Sequence, residues 1–152
     1  MNKVVIRLAV PEDLSICSKI INDYIDQTEW LPRVVSHENI NAMFNREMLN
    51  ARCFLVAEHD EVVGGYLSMD EDKGIISGLY LGKGFQCNGA GKMLLETAKE
   101  RRPEGLGLTV FEPNIHAKRF YEREGFIEIL EERKNETPEG VPTLMMRWNG
   151  AS

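Results

Sequence analysis

The stretch that most narrows what this chain can fold into begins at Leu79-Tyr80-Leu81, passes through Gly82-Lys83-Gly84-Phe85-Gln86-Cys87-Asn88-Gly89-Ala90-Gly91-Lys92 and runs into Met93-Leu94-Leu95. An apolar run, a glycine-rich turn and an amphipathic run, in that order, read as strand, turn and helix. The glycines at 82, 84, 89 and 91 let the backbone turn tightly and leave N–H groups uncovered where a helix presents its positive end. Such a turn is an anion site.

Nucleotide loops are the first anion sites to test. A Walker loop needs G-x-x-x-x-G-K-[ST], yet Gln86 stands five residues before Gly91, and Met93 follows Lys92 where a magnesium-binding hydroxyl belongs. A dinucleotide fingerprint needs G-x-G-x-x-G, but Gly89-Ala90-Gly91 is followed at the third position by Leu94, and no early parallel βαβ unit precedes it. Both nucleotide readings fail.

A chain of 152 residues is expected to form a single domain, 1–152, with no linker. No apolar run approaches the ~20 residues of a membrane helix, so no membrane association is expected. Residues 1–7 alternate like a strand and lack the long apolar run of a signal peptide, which points to a cytoplasmic protein. Cys17, Cys53 and Cys87 have no C-x-x-C spacing, so neither a disulfide framework nor a metal site is expected. A net charge of −6 repels nucleic acid and mildly favours a cationic or amine-bearing partner.

The remaining elements follow from periodicity. Val4 to Leu8 reads as a strand, and Pro11-Glu12-Asp13 opens a helix whose stripe is Leu14, Cys17, Ile21 and Tyr24. Trp30-Leu31-Pro32-Arg33 lies in a connection, and Ser36 caps one helix carrying Ile40, Met43, Phe44 and Met48. Residues 53–57, 62–67 and 75–81 read as an antiparallel meander. After the glycine turn, a helix to Arg101 leads to a strand over 106–111, a short helix stopped by Gly125, and a strand over 126–130. A charged loop over 131–141 and a last strand over 144–148 complete the chain. The order predicts an α/β fold with a mixed, mostly antiparallel central sheet flanked by helices on both faces.

Two segments together carry a resemblance. The core Gln86-x-x-Gly89-x-Gly91 within 79–95 resembles the acyl-coenzyme A loop of the GNAT superfamily of N-acetyltransferases. The run Asn114-Ile115-His116-Ala117-Lys118-Arg119-Phe120-Tyr121-Glu122-Arg123-Glu124-Gly125-Phe126 is similar to its N-x-x-A-x-x-F-Y-x-x-x-G-F motif. The resemblance implies an acyl-CoA N-acyltransferase fold and acetyl-CoA as donor, with direct transfer of the acetyl group to a primary amine of a small molecule. It implies donor contacts from the backbone at Leu79, Tyr80 and Leu81, from the loop residues Gln86, Cys87, Asn88, Gly89, Ala90, Gly91 and Lys92, and from Asn114. A homodimer paired through Leu144–Trp148 also stands open on this basis. The family usually has proline at the position of Lys83 and glycine at that of Cys87. Lys83 adds charge beside a pyrophosphate, whereas Cys87 puts a side chain where backbone approaches the ligand.

Periodicity alone makes Tyr121 a core residue, on one stripe with Ala117 and Phe120. The resemblance makes it the general acid to the departing thiolate. The base has no such match. The third meander strand, where many family members place a carboxylate, carries Ser77 and Gly78, which leaves Glu136 and Glu139 of the charged loop and Glu29 beside Trp30. Trp30 and Arg33 are candidate pocket walls, with Arg33 suited to an acceptor carboxylate or phosphate. Their alternative is a loop folded over the core with an arginine in solvent. A non-catalytic acyl-CoA-binding or sensing module is the competing function.

Overall fold

The computed structural model describes residues 3–86 and 88–151. One seven-stranded sheet holds the chain together: β1 (Val5–Leu8), β2 (Cys53–His59), β3 (Val62–Asp70), β4 (Ile75–Leu81), β5 (Leu106–Phe111), β6 (Ile127–Lys134) and β7 (Thr143–Trp148). Their order across the sheet is β1-β2-β3-β4-β5-β7-β6, and the β4–β5 pair alone is parallel. This is the mixed, mostly antiparallel sheet that the element order predicts.

Alternation along the strands divides the interior into two layers. Cys53, Leu55 and Ala57 of β2 point to one face, where they meet Leu67, Met69 and the buried stripe Leu94, Leu95 and Ala98 of helix α4 (Ala90–Arg101). Phe54 and Val56 point to the other face, against Cys17 and Ile20 of helix α1 (Leu14–Gln27). Burial pushes the Cys17 thiol up to about 12, so this cysteine is inert packing, as its place on the helical stripe predicts. A short helix, α5 (Ile115–Arg123), joins α4 on the first face.

Local differences from the sequence reading have identifiable causes. Pro11–Asp13 forms a 3₁₀ turn ahead of α1, and the Asp13 carboxylate does the capping that Val10 cannot, accepting from the Val10 N–H (2.8 Å) and from Arg7 (2.7 Å). The Ser36 helix is two helices, α2 (His37–Met43) and α3 (Arg46–Ala51), because Asn45 caps a second start by accepting from the Met48 N–H at 2.9 Å. Strand β6 continues to Lys134 through part of the stretch read as a charged loop. An edge strand with solvent on one side carries charges without apolar alternation to reveal it. Strand β7, finally, lies inside the sheet and is paired with β5 and β6, so it offers no free edge to a second copy.

The glycine turn is anchored by one aromatic ring. Phe85 is buried and lies over Gly64 of β3, where an added Cβ would sit 2.0 Å from the ring. Gly82 closes the turn by donating its N–H to the Gly64 carbonyl at 2.7 Å. We expect Gly64→Ala to cost roughly 1–3 kcal/mol through overpacking, read as a lowered Tm, and to weaken donor binding by unseating the loop.

Candidate active site

Strands β4 and β5 share only two register pairs, Ile75 with Gly107 and Ile76 with Leu108, and then part. Each follows its other neighbour: β4 stays paired to β3 through Leu81, and β5 to β7 through Phe111. The result is a gap in the middle of the sheet, lined by Leu79 and Tyr80 on one side, by Thr109 and Phe111 on the other, and by Tyr24, Asn114 and Tyr121.

The backbone of β4 faces this gap in a defined way. The Gly82–Gly64 hydrogen bond sets the antiparallel alternation, so that residues 78, 80 and 82 turn their polar groups to β3. Leu79 and Leu81 therefore turn their N–H and C=O groups to the gap, while their side chains pack on the α4 face. An extended ligand can pair with them as a further strand would.

A groove leads from the gap to the N-terminus of α4, lined by Gln86, Gly89, Gly91, Lys92, His116 and Arg123 among others. Gly84 and Gly89 have φ of 90° and 81°, which favour glycine, and a Cβ at either would meet open space rather than protein. Asn88 turns its carboxamide oxygen back to cap the Ala90 N–H at 3.2 Å. The next first-turn N–H groups, on Gly91 and Lys92, lie beyond the reach of intrahelical bonding. Gly91 also lets the helix end approach β4, since a Cβ there would lie 3.3 Å from Leu81 Cδ1. The cationic side chains of Lys92 and Arg123 stand on the same groove, with Lys92 3.3 Å from Glu124. Amides, helix dipole and cations together suit a phosphate-bearing ligand. Cys87, the remaining loop candidate, lies outside the described residues.

Helix α5 delivers the polar side chains. Asn114 is its N-cap, accepting from the Ala117 N–H (3.2 Å) and donating from Nδ2 to the Tyr24 hydroxyl (3.1 Å). Two turns later Tyr121 is buried, packed edge-on against Phe120 and Phe126, and it borders both gap and groove. The ring of Tyr121 is core, as its place on the helical stripe predicts, and the residue also lines gap and groove. Burial pushes its phenol well above the ordinary range, with Tyr80 and Tyr24 adding to the effect. Burial likewise pushes Tyr80 up to about 12, with Tyr24 and Glu139 contributing.

Of the acceptor-side candidates, the structure brings some together and leaves others apart. Glu139 lines a cavity beyond Tyr80 and Phe111, oriented by a turn in which the Gly140 N–H donates to the Thr137 carbonyl at 2.9 Å. Glu136 is exposed and lines none of these spaces, and Glu29 is likewise exposed on the surface. Leu31 and Pro32 wall the cavity, while Trp30 backs it from Phe111, ring to ring at 5.7 Å. Arg33 departs from the expectation of an anion-binding side chain. Its terminal nitrogens donate to Asn22 Oδ1 (2.8 Å), the Asn22 carbonyl (3.0 Å), the Val35 carbonyl (3.1 Å) and Asp26 (2.8 Å), tying the loop to α1. Tyr24 is the residue that sequence reasoning missed. It sits on an apolar helical stripe, and only its phenolic tip distinguishes it from core.

The comparisons with known proteins agree with this geometry. The model of the acetyltransferase (GNAT) domain family matches residues 20–149, and the chain belongs to that family. An uncharacterized N-acetyltransferase of Lactobacillus delbrueckii subsp. lactis is 37% identical over 92 residues; the match covers 51% of this chain and about half of the relative's length, 53%. Among solved structures, the putative acetyltransferase yncA of Salmonella typhimurium with its cofactor acetyl-CoA shares the fold with a TM-score of 0.71 at 21% identity, covering 99% of this chain and 95% of that one. The apo form of Escherichia coli YjaB does so at 0.76 and 22%, covering 98% and 99%. The ribosomal-protein-alanine N-acetyltransferase of Brucella melitensis does so at 0.70 and 23%, covering 94% and 98%.

The buried tyrosines make stability sensitive to alkali. Below pH ~10 both folded and unfolded chains keep their phenol protons. Above it the unfolded chain releases them while Tyr24, Tyr66, Tyr80 and Tyr121 retain theirs, so the unfolded state binds fewer protons and stability falls as pH rises. Thermal melts should show Tm dropping steadily from about pH 10 towards the value of about 12 that Tyr80 takes in the fold.

Proposed function

We propose that this chain is an acetyl-CoA-dependent N-acetyltransferase that moves the acetyl group directly to a primary amine of a small molecule. The observation that carries the reading is the parting of β4 from β5, which joins an anion-binding groove on one side of the sheet to an acceptor cavity on the other. Acetyl-CoA supplies an activated acyl group, as a thioester attached to a pyrophosphate-bearing carrier. The residues present fit it, since the groove has first-turn amides at its helix end, glycines whose Cβ positions are open, and a strand edge turned to the gap and leading inwards.

In this reading the N–H groups of Gly91 and Lys92 hold the pyrophosphate, and Leu79 and Leu81 pair with the carrier's amide-containing arm. A β4 N–H turned to the gap polarises the acyl carbonyl, a contact that strengthens as negative charge develops on oxygen. Asn114 fixes the start of α5 and, through its bond to Tyr24, the width of the gap. Tyr121 hydrogen-bonds the departing thiolate. Burial keeps its proton in place across the physiological range but makes it a weaker acid, so stabilisation of the thiolate outweighs complete transfer. On the acceptor side Glu139 draws in the ammonium form and takes its proton as general base. Bringing an amine of pKa ~10.4 to its neutral form at pH 7 costs about 5 kcal/mol.

Three variants test the assignments. Tyr121→Phe should lower kcat about a hundredfold or more while leaving acetyl-CoA affinity, measured by calorimetry, within about twofold; unchanged turnover removes the role. Glu139→Gln should raise the acidic limb of the kcat/KM profile to higher pH. Glu136→Gln should leave that profile where it is, and an equal effect of the two would remove the distinction between the loop acids.

A further inference from the structure

The acceptor cavity has a more specific character than an amine site requires. It holds about 220 Å³ and is walled by Ile21 and Ile25 of α1, Leu31 and Val34 of the following loop, and Ile40 and Met43 of α2. Tyr80 and Phe111 border both it and the gap, so the two spaces adjoin. Among the described residues that line it, Glu139 is the one charged group. The guanidinium best placed in sequence to add a positive charge, that of Arg33, is held behind the wall by Asn22, Val35 and Asp26. An acceptor carboxylate or phosphate would therefore enter an apolar space with no cation to receive it, at a heavy desolvation penalty. A second ammonium, as in a polyamine, would face the same cost at the far end of the cavity.

We propose that the acceptor is a small primary amine bearing an aromatic or branched aliphatic substituent and no acidic group. This rests on the acetyltransferase reading above. The ammonium sits at Glu139, and the apolar substituent fills the cavity. A cavity of ~150 Å³ lined by aliphatic and aromatic side chains takes up benzene, so about 220 Å³ holds a ring with a short tether. The chemistry balances without a further reactant. The ammonium R–NH₃⁺ and the acetyl thioester give R–NH–acetyl, the free thiol and one proton, as the N–C bond forms and the C–S bond breaks.

The test is a kcat/KM series with acetyl-CoA as donor. The acceptors are n-propylamine to n-hexylamine, phenethylamine, phenylalanine, phenylalanine amide, spermidine and a peptide with an N-terminal phenylalanine. We expect a rise of roughly fourfold per methylene until the cavity is filled. Phenethylamine and phenylalanine amide should both be turned over, with phenylalanine lower than its amide by about a hundredfold. A flat chain-length series, or phenylalanine or spermidine as the best acceptor, would overturn the proposal. So would a peptide that outruns every small amine, because it assigns the cavity to a polypeptide terminus.

Met43 is 57% exposed at the cavity rim, so Met43→Asp should fold and should lower kcat/KM for phenethylamine by about tenfold. Across the n-alkylamine series the loss should grow with chain length. An unchanged phenethylamine value counts against the proposal. Calorimetry with acetyl-CoA alone, on the same preparation, separates the two levels. Binding without turnover of the apolar amines refutes the substrate class only, whereas no binding refutes the acetyltransferase reading and the substrate class with it.

Discussion

The divergence of β4 from β5 is the constraint on which the site depends. Two parallel strands joined at Ile75–Ile76 and Gly107–Leu108 are each bound along their remaining length to an antiparallel neighbour. Sheet twist then carries them apart, because each strand turns with its own partner. The opening costs a few unpaired backbone groups on β4, and those groups become a ligand-binding edge. A fully paired β4–β5 ladder would bury the same residues and leave no passage between the two faces.

The two faces of the sheet have different work. The α4–α5 face has the helix end, the glycines and the cations Lys92 and Arg123, which suit a phosphate-bearing carrier. The α1–α2 face has an apolar cavity and Glu139, which suit a cation with a greasy body. Where they meet, three tyrosines and Asn114 fill the opening. Tyr24 and Tyr80 lie 5.2 Å apart ring to ring, and Asn114 bonds both Tyr24 and its own helix. A cluster of buried phenols can offer hydrogen bonds without adding charge.

Much of the fold was legible because local chemistry specifies it. The period-2 runs of β2 to β4, the glycine turn and the Asn114 cap with Gly125 as stop each depend on residues within a few positions. The errors arose where local signals compete or fall silent. Asn45 restarted a helix whose apolar stripe looked continuous, and β6 extended into charged residues because an edge strand needs no apolar alternation. At the site, the anion-binding turn was legible from its glycines, whereas the donor contacts and the role of Tyr121 were suggested by the family resemblance alone. Arg33 was misjudged because its partners Asn22 and Asp26 belong to the preceding helix, and nothing in the sequence says which way the guanidinium turns.

By itself, then, the sequence determined the pieces: an anion-binding turn at a helix start, a capped helix bearing Tyr121, and a sheet able to hold them. These follow from backbone preferences and periodicity, which act over a turn or two. The tertiary structure decided the rest. It set Glu139 on a cavity wall and left Glu136 exposed, joined Asn114 to Tyr24 across the fold, and parted β4 from β5. Such choices depend on contacts between residues far apart in the chain, and only the closed fold supplies them.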